Sequence, residues 1–159
     1  MTLKVFLFLL LILIGGTVKS QTFLNADSAQ IKKTILLKGG VLTRSYFENG
    51  FEVPGRYRKM EFRFPKLTYE NGLVSNMTFY MTLKNKCFMY EMNYRNSDCV
   101  SKLKDKFNKT SSGLNQIQDS LKWIDNFKKY EIKMSPMYDA SKTIVGCLLE
   151  IRNINRKVN

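Results

Sequence analysis

Histidine is missing from all 159 positions of the chain, which narrows the chemistry available to it. Without an imidazole there is no Ser-His or Cys-His nucleophile pair, no histidine general base and no histidine metal ligand, so catalysis would fall to carboxylates, Lys, Tyr or Cys. Hydrolysis by paired carboxylates needs two acids facing one cleft, yet the 13 Asp and Glu are scattered singly. Glu61 and Glu91 are the pair best placed to face one another across strands, and the simpler role for each is as a partner of Lys59, Arg63 or Lys86 on a polar sheet face. Gly39-Gly40 follows a helical pattern instead of opening one, which suits a C-cap and not a phosphate-binding turn. The sequence predicts no catalytic, cofactor-binding or metal-ligating residue.

Charge is the stronger signal. The 26 Lys and Arg exceed the acids by 13. Arg56, Arg58, Lys59 and Arg63 lie beside Tyr57 and Phe62 as a candidate anion-binding surface, and Lys102, Lys104, Lys106 and Lys109 form a second basic run. Such patches attract anionic glycans, lipid headgroups or nucleic acid through positive potential and stacking. The competing reading is a solvated face on a generally basic chain, because basic residues run from Lys32 to Lys157 and strand alternation divides the first cluster over two faces.

Three cysteines remain. Cys147 alternates with Val145, Leu149 and Ile151, the pattern of a small buried hydrophobe that stays unpaired. Cys87 near the start of one strand and Cys99 at the start of the following helix are the candidate disulfide. A strand of about seven residues at roughly 3.3 Å each separates them, so the competing state is three free thiols. Asn76-Met77-Thr78 and Asn108-Lys109-Thr110 match the N-glycosylation acceptor pattern, which matters only in a host that glycosylates.

The elements that would carry these residues follow from periodicity. Residues 1–20 read as a signal peptide, with Lys4, an apolar run from Val5 to Ile14, and Ser20 before Gln21. The uncharged stretch of 14 residues, Val5 to Val18, is short of the roughly 20 needed to span a bilayer. Cleavage there removes Lys4 and Lys19 but no acid, so +13 becomes +11 and residues 21–159 form a single domain without a transmembrane segment. Asp27 with Gln30 caps a first helix through Ile31 and Ile35, ending at Gly39-Gly40. Val41 to Gly55 reads as loop-rich, and Tyr46-Phe47 and Phe51 to Pro54 are its candidate apolar wedge. Period-two runs from Arg56 to Phe64, Leu73 to Leu83 and Lys86 to Tyr94 predict a three-stranded meander. Ser97-Asp98 caps a second helix through Val100, Leu103 and Phe107. Leu114 to Phe127 fits helix or strand, with Trp123 in the core. Strands at Tyr130 to Met134 and Ile144 to Ile151 flank a break at Ser135-Pro136, and no internal repeat is visible. The expectation is an α+β fold, an antiparallel sheet of about five strands with two short helices packed on one face.

Ser20-Gln21, the Asn85-Lys86-Cys87-Phe88-Met89-Tyr90 strand, the Lys-rich second helix and Trp123 before a final strand pair together resemble small exported proteins of Bacteroidota-type envelopes. The resemblance implies a periplasmic location and carries no site. The function expected is a non-enzymatic exported binding or structural domain whose partner is a protein or an anionic envelope component, with nucleic acid not expected for a chain leaving the cytoplasm. A secreted inhibitor-like module and a carboxylate-based hydrolase are the alternatives.

Overall fold

Asp27 starts the first helix as its side chain suggests, accepting from the Gln30 amide at 2.8 Å, and α1 runs Ser28–Leu37. Gly39 at φ +80° ends it, with the Gly39 and Gly40 amides returning to the Leu36 and Ile35 carbonyls. The structure, a computed structural model, describes residues 23–49, 55–65, 74–109, 113–117, 120–127 and 129–154. The signal-peptide expectation for residues 1–20 and the Phe51 to Pro54 half of the wedge lie outside them.

Beyond α1 the chain forms β1 Val41–Asn49, β2 Arg56–Arg63, β3 Val74–Met81, β4 Cys87–Tyr94, α2 Cys99–Asn108, β5 Leu114–Gln116, β6 Lys122–Asp125, β7 Tyr130–Tyr138 and β8 Ile144–Asn153. All eight strands join one antiparallel sheet in the order β1-β2-β3-β4-β8-β7-β6-β5. This corrects the expected α+β fold with about five strands: the protein is mainly sheet. The order reads the same outward from the β4–β8 junction, each half being a helix followed by a four-stranded meander, a duplication of architecture that the sequence does not display.

The three strands missed have separate physical causes. β1 lies at an edge with neither face buried along its length, so nothing imposes alternation on Val-Leu-Thr-Arg-Ser-Tyr-Phe-Glu-Asn. β5 has three residues. β6 buries Trp123 together with Asp125, and a carboxylate at an inward position breaks the apolar pattern. Asp125 is satisfied by accepting from the amides of Phe127, Lys129 and Tyr130, so it ties the β6–β7 turn together. Pro136 does not break β7. It pairs with Cys147 of β8, while β6 reaches only as far along β7 as Met134, so the missing N–H falls where β7 has one neighbour among the described residues.

One face of the sheet carries the core. Met60 and Phe62 of β2, Met77 and Phe79 of β3, Tyr90 and Met92 of β4, Leu149 and Ile151 of β8, Ile132 and Met134 of β7, and Trp123 cluster with Ile31 and Ile35 of α1 and Leu103 and Phe107 of α2. Phe107 meets Trp123 edge-on at 5.1 Å between centroids, and the indole N–H donates to Asn108 Oδ1 at 2.7 Å.

The cysteine expectation is also corrected. Cys99 is joined to Cys147, with Cα atoms 6.3 Å apart, and not to Cys87. Tyr94 at the end of β4 pairs with Cys147 of β8, and α2 begins five residues later, so the helix start falls over the neighbouring strand. Cys147 is buried as expected but bridged. Cys87 lies fully buried at the far end of β4, its thiol donating to the Met89 carbonyl.

Candidate binding surface

The four predicted anion-binding residues all lie on β2, and the pleat divides them. Tyr57, Lys59, Glu61 and Arg63 face away from the helices, while Arg56 and Arg58 share the side of Met60 and Phe62. Arg56, Arg58 and Lys59 each find a different partner on β1. The Arg56 guanidinium sits 5.0 Å from the Phe47 ring centroid, and Arg58 Nε donates to Ser45 Oγ at 2.9 Å. Lys59 Nζ lies 3.6 Å from Glu61 and between two rings, 6.0 Å from Tyr46 and 5.5 Å from Tyr80. Arg63 is exposed at the end of the strand. The four cations do not converge on one anion.

What the register assembles instead is a polar and aromatic lattice across β1, β2 and β3. Glu48 faces Tyr57, Tyr46 faces Lys59 and Arg44 faces Glu61, and Lys59 in turn faces Tyr80. Tyr57 donates to Glu48 Oε2 at 3.2 Å and Tyr46 to Glu61 Oε1 at 3.1 Å. Burial, then the Glu48 carboxylate, raises the Tyr57 hydroxyl above its ordinary range. Burial and then Glu91 raise Tyr80 still further. Burial pulls Lys59 down, but Tyr46, Glu48 and Glu61 outweigh it and leave its ammonium more firmly protonated than usual. Tyr57, Tyr80 and Lys59 therefore each hold one charge state across the physiological range.

Beneath this lattice Tyr57, Tyr80, Phe88 and Met89 form a second apolar cluster on the face away from the helices. Strict alternation would send Phe88 to the same side as Tyr90. A register shift between Tyr80 and Met81 lets Cys87 enter the main core and turns Phe88 to the opposite face, 6.4 Å from the Tyr80 ring and 6.1 Å from Tyr57. Sequence periodicity has no means of seeing such a bulge.

The remaining candidates fall in other places. Glu61 and Glu91 both face Thr78 of the intervening β3, so a strand separates them, and Glu61 is taken up by Lys59 and Tyr46. Tyr46 and Phe47 belong to a strand, not a loop wedge. Asn76 sits within β3 between Arg63 and Asn93, and Asn108 is engaged through both side-chain atoms, with Trp123 and Gln116. A cavity of about 150 Å³ beside the disulfide is lined by Tyr94, Asn96, Asp98, Leu103 and Lys106. It falls below the few hundred Å³ of a small-molecule site, and Asp98 there pairs with Lys102 at 2.6 Å.

No protein-family model, curated protein or solved structure matches the chain.

Proposed function

We propose that this chain is an exported, non-enzymatic binding domain that engages its partner along the β1–β2 margin of the sheet. The observation that carries the reading is β1 itself: a nine-residue edge strand exposed or half-buried along its whole length, with Tyr46 and Phe47 outward and cations from β2 seated on their rings. An aromatic ring ordered by a neighbouring cation offers contact area at a low entropic cost. The sequence supports export through residues 1–20, and it lacks the histidine on which most nucleophilic catalysis depends.

Backbone hydrogen exchange of residues 21–159 tests this against three probes: a heparin-derived oligosaccharide, vesicles containing phosphatidylglycerol, and an acidic peptide. At least one should slow exchange in β1 and β2, and the protection should disappear when Tyr46 and Phe47 are changed together to Ala. A matched Phe127→Ala change, at an exposed ring of the β6–β7 turn, should leave it intact. Protection confined to α2 or β5 to β7, or none with any probe, overturns the reading.

A further inference from the structure

We infer that the β1 edge accepts an extended acidic polypeptide segment as a ninth strand. The inference rests on the binding reading above and specifies the partner.

The two edges of the sheet are unequal. β5 offers three residues, β1 nine, and among the described residues β1 pairs on one side only, with β2. In an antiparallel ladder alternate residues turn their N–H and C=O away from the existing neighbour, so a strand this long presents a row of donors and acceptors. A second polypeptide backbone satisfies such a row with matching spacing, which glycans and lipid headgroups do not. Nine residues cover about 30 Å at roughly 3.3 Å each.

Charge selects the segment. From Ser28 to Arg63 the chain carries eight Lys and Arg against three Glu. Two of those carboxylates are already committed, Glu48 to Tyr57 and Glu61 to Tyr46 and Lys59, whereas Arg44, Arg56 and Arg63 stand exposed. A second copy of the chain would gain a symmetric pair of contacts, Arg44 of each copy against Glu48 of the other, when two β1 strands pair antiparallel about Tyr46. It would also bring two basic margins together and compete with Tyr57 for Glu48. A segment with acids on the face meeting Arg44 and apolar side chains on the face meeting Phe47 meets neither obstacle. The ligand pattern is alternating acidic and apolar residues over about nine positions.

The experiment titrates residues 21–159 with a blocked, fluorescent nine-residue peptide alternating Glu and Val. The comparisons are a Lys-for-Glu version and a version N-methylated at every second residue on the edge-facing side. The acidic peptide should bind and protect β1 amides, the Lys version should not bind, and N-methylation should weaken binding at least about tenfold, because it removes the strand-to-strand bonds and leaves the charge. Arg44→Glu should weaken it by about three- to tenfold. Equal binding of the N-methylated peptide reduces the effect to diffuse electrostatics and overturns strand addition. Sedimentation showing a dimer that Arg44→Glu dissociates and added Glu48→Arg restores assigns the edge to a second copy instead, and also overturns it. If heparin or vesicles protect β1 while the peptide does not, the binding reading survives and the segment fails. The peptide comparisons use unaltered protein, so the outcome does not depend on a variant folding.

Discussion

Removing the Cys99–Cys147 bridge should cost the protein a large part of its stability. The two cysteines are 48 residues apart in sequence, and the chain-entropy cost of closing a loop of that length in the unfolded chain is about 4 kcal/mol at 25 °C. Changing both residues to Ala also deletes two buried sulfurs, at about 1 kcal/mol or less each. The bridge closes α2 and β5 to β7 into a loop anchored on β8, so the gain lies mainly in the unfolded state. Urea unfolding followed by the fluorescence of Trp123, the only tryptophan, suits the test because the indole packs on Phe107 of α2. The double variant should show a lower midpoint and a steeper denaturant dependence, since an unbridged chain exposes more surface when unfolded. In a domain of this size the melting temperature should fall by roughly 10–15 °C. Thiol titration of the denatured, unreduced protein should find one thiol, from Cys87. Three thiols, or a variant whose midpoint matches the parent, would refute the reasoning.

Two further outcomes concern single sites and a third concerns the buried tyrosines together. Gly146→Ala should destabilise by about 3 kcal/mol or more, because an added Cβ would overlap the Tyr94 carbonyl oxygen within the β4–β8 ladder, while Val145→Ala, exposed next to it, should change thermal stability little. Asn108→Ala should cost about 1–3 kcal/mol in urea titrations by leaving the buried Trp123 N–H without its acceptor. Alkali should weaken the fold. Tyr57, Tyr80 and Tyr130 are raised by burial, and then by Glu48, Glu91 and Asp125 respectively, so an unfolded tyrosine loses its proton near pH 10 while the folded one keeps it. Their contribution is complete below about pH 10 and declines above it, by up to about 1.4 kcal/mol per pH unit for a buried tyrosine such as Tyr80. Stability unchanged from pH 9 to 11.5 would contradict this.

What the sequence made legible was whatever a single buried face enforces. Met60 and Phe62, Met77 and Phe79, and Tyr90 and Met92 alternate because at these positions the main core takes one face while the intervening Glu61, Thr78 and Glu91 stay half-buried on the other, and Asp27 capped α1 because its acceptor needs only the amide three residues on. Pattern failed where that constraint lapses: on β1, which buries neither face along its length, and at the bulge that redirects Phe88. It failed differently for the disulfide. The distance argument against Cys87 and Cys99 was sound, but the pairing of β4 with β8, a contact between residues more than 50 positions apart, is what sets Cys147 beside the start of α2. The basic residues of β2 were visible as a cluster, while their separate partners, Phe47, Ser45 and Tyr46, came from a strand that the sequence presented as loop.

The palindromic strand order gives that strand its significance. A helix followed by a four-stranded meander has two open edges, and two such units side by side would have four. Joining β4 to β8 removes two of them and lets both helices share one core, with the Cys99–Cys147 bridge fixing the second helix at the junction. The edges that remain belong to the first strand of each half. In the second half that strand is cut to three residues, which offers little to pair with; in the first it keeps nine. An edge of that length invites wrong pairing unless charge guards it, and Arg44 with the cations of β2 provides the guard. A cationic guard discriminates by sign: it opposes basic and self-similar strands, this chain's own included, and favours an acidic one. The charges that make a long edge tolerable in a basic protein thus also define what that edge can bind.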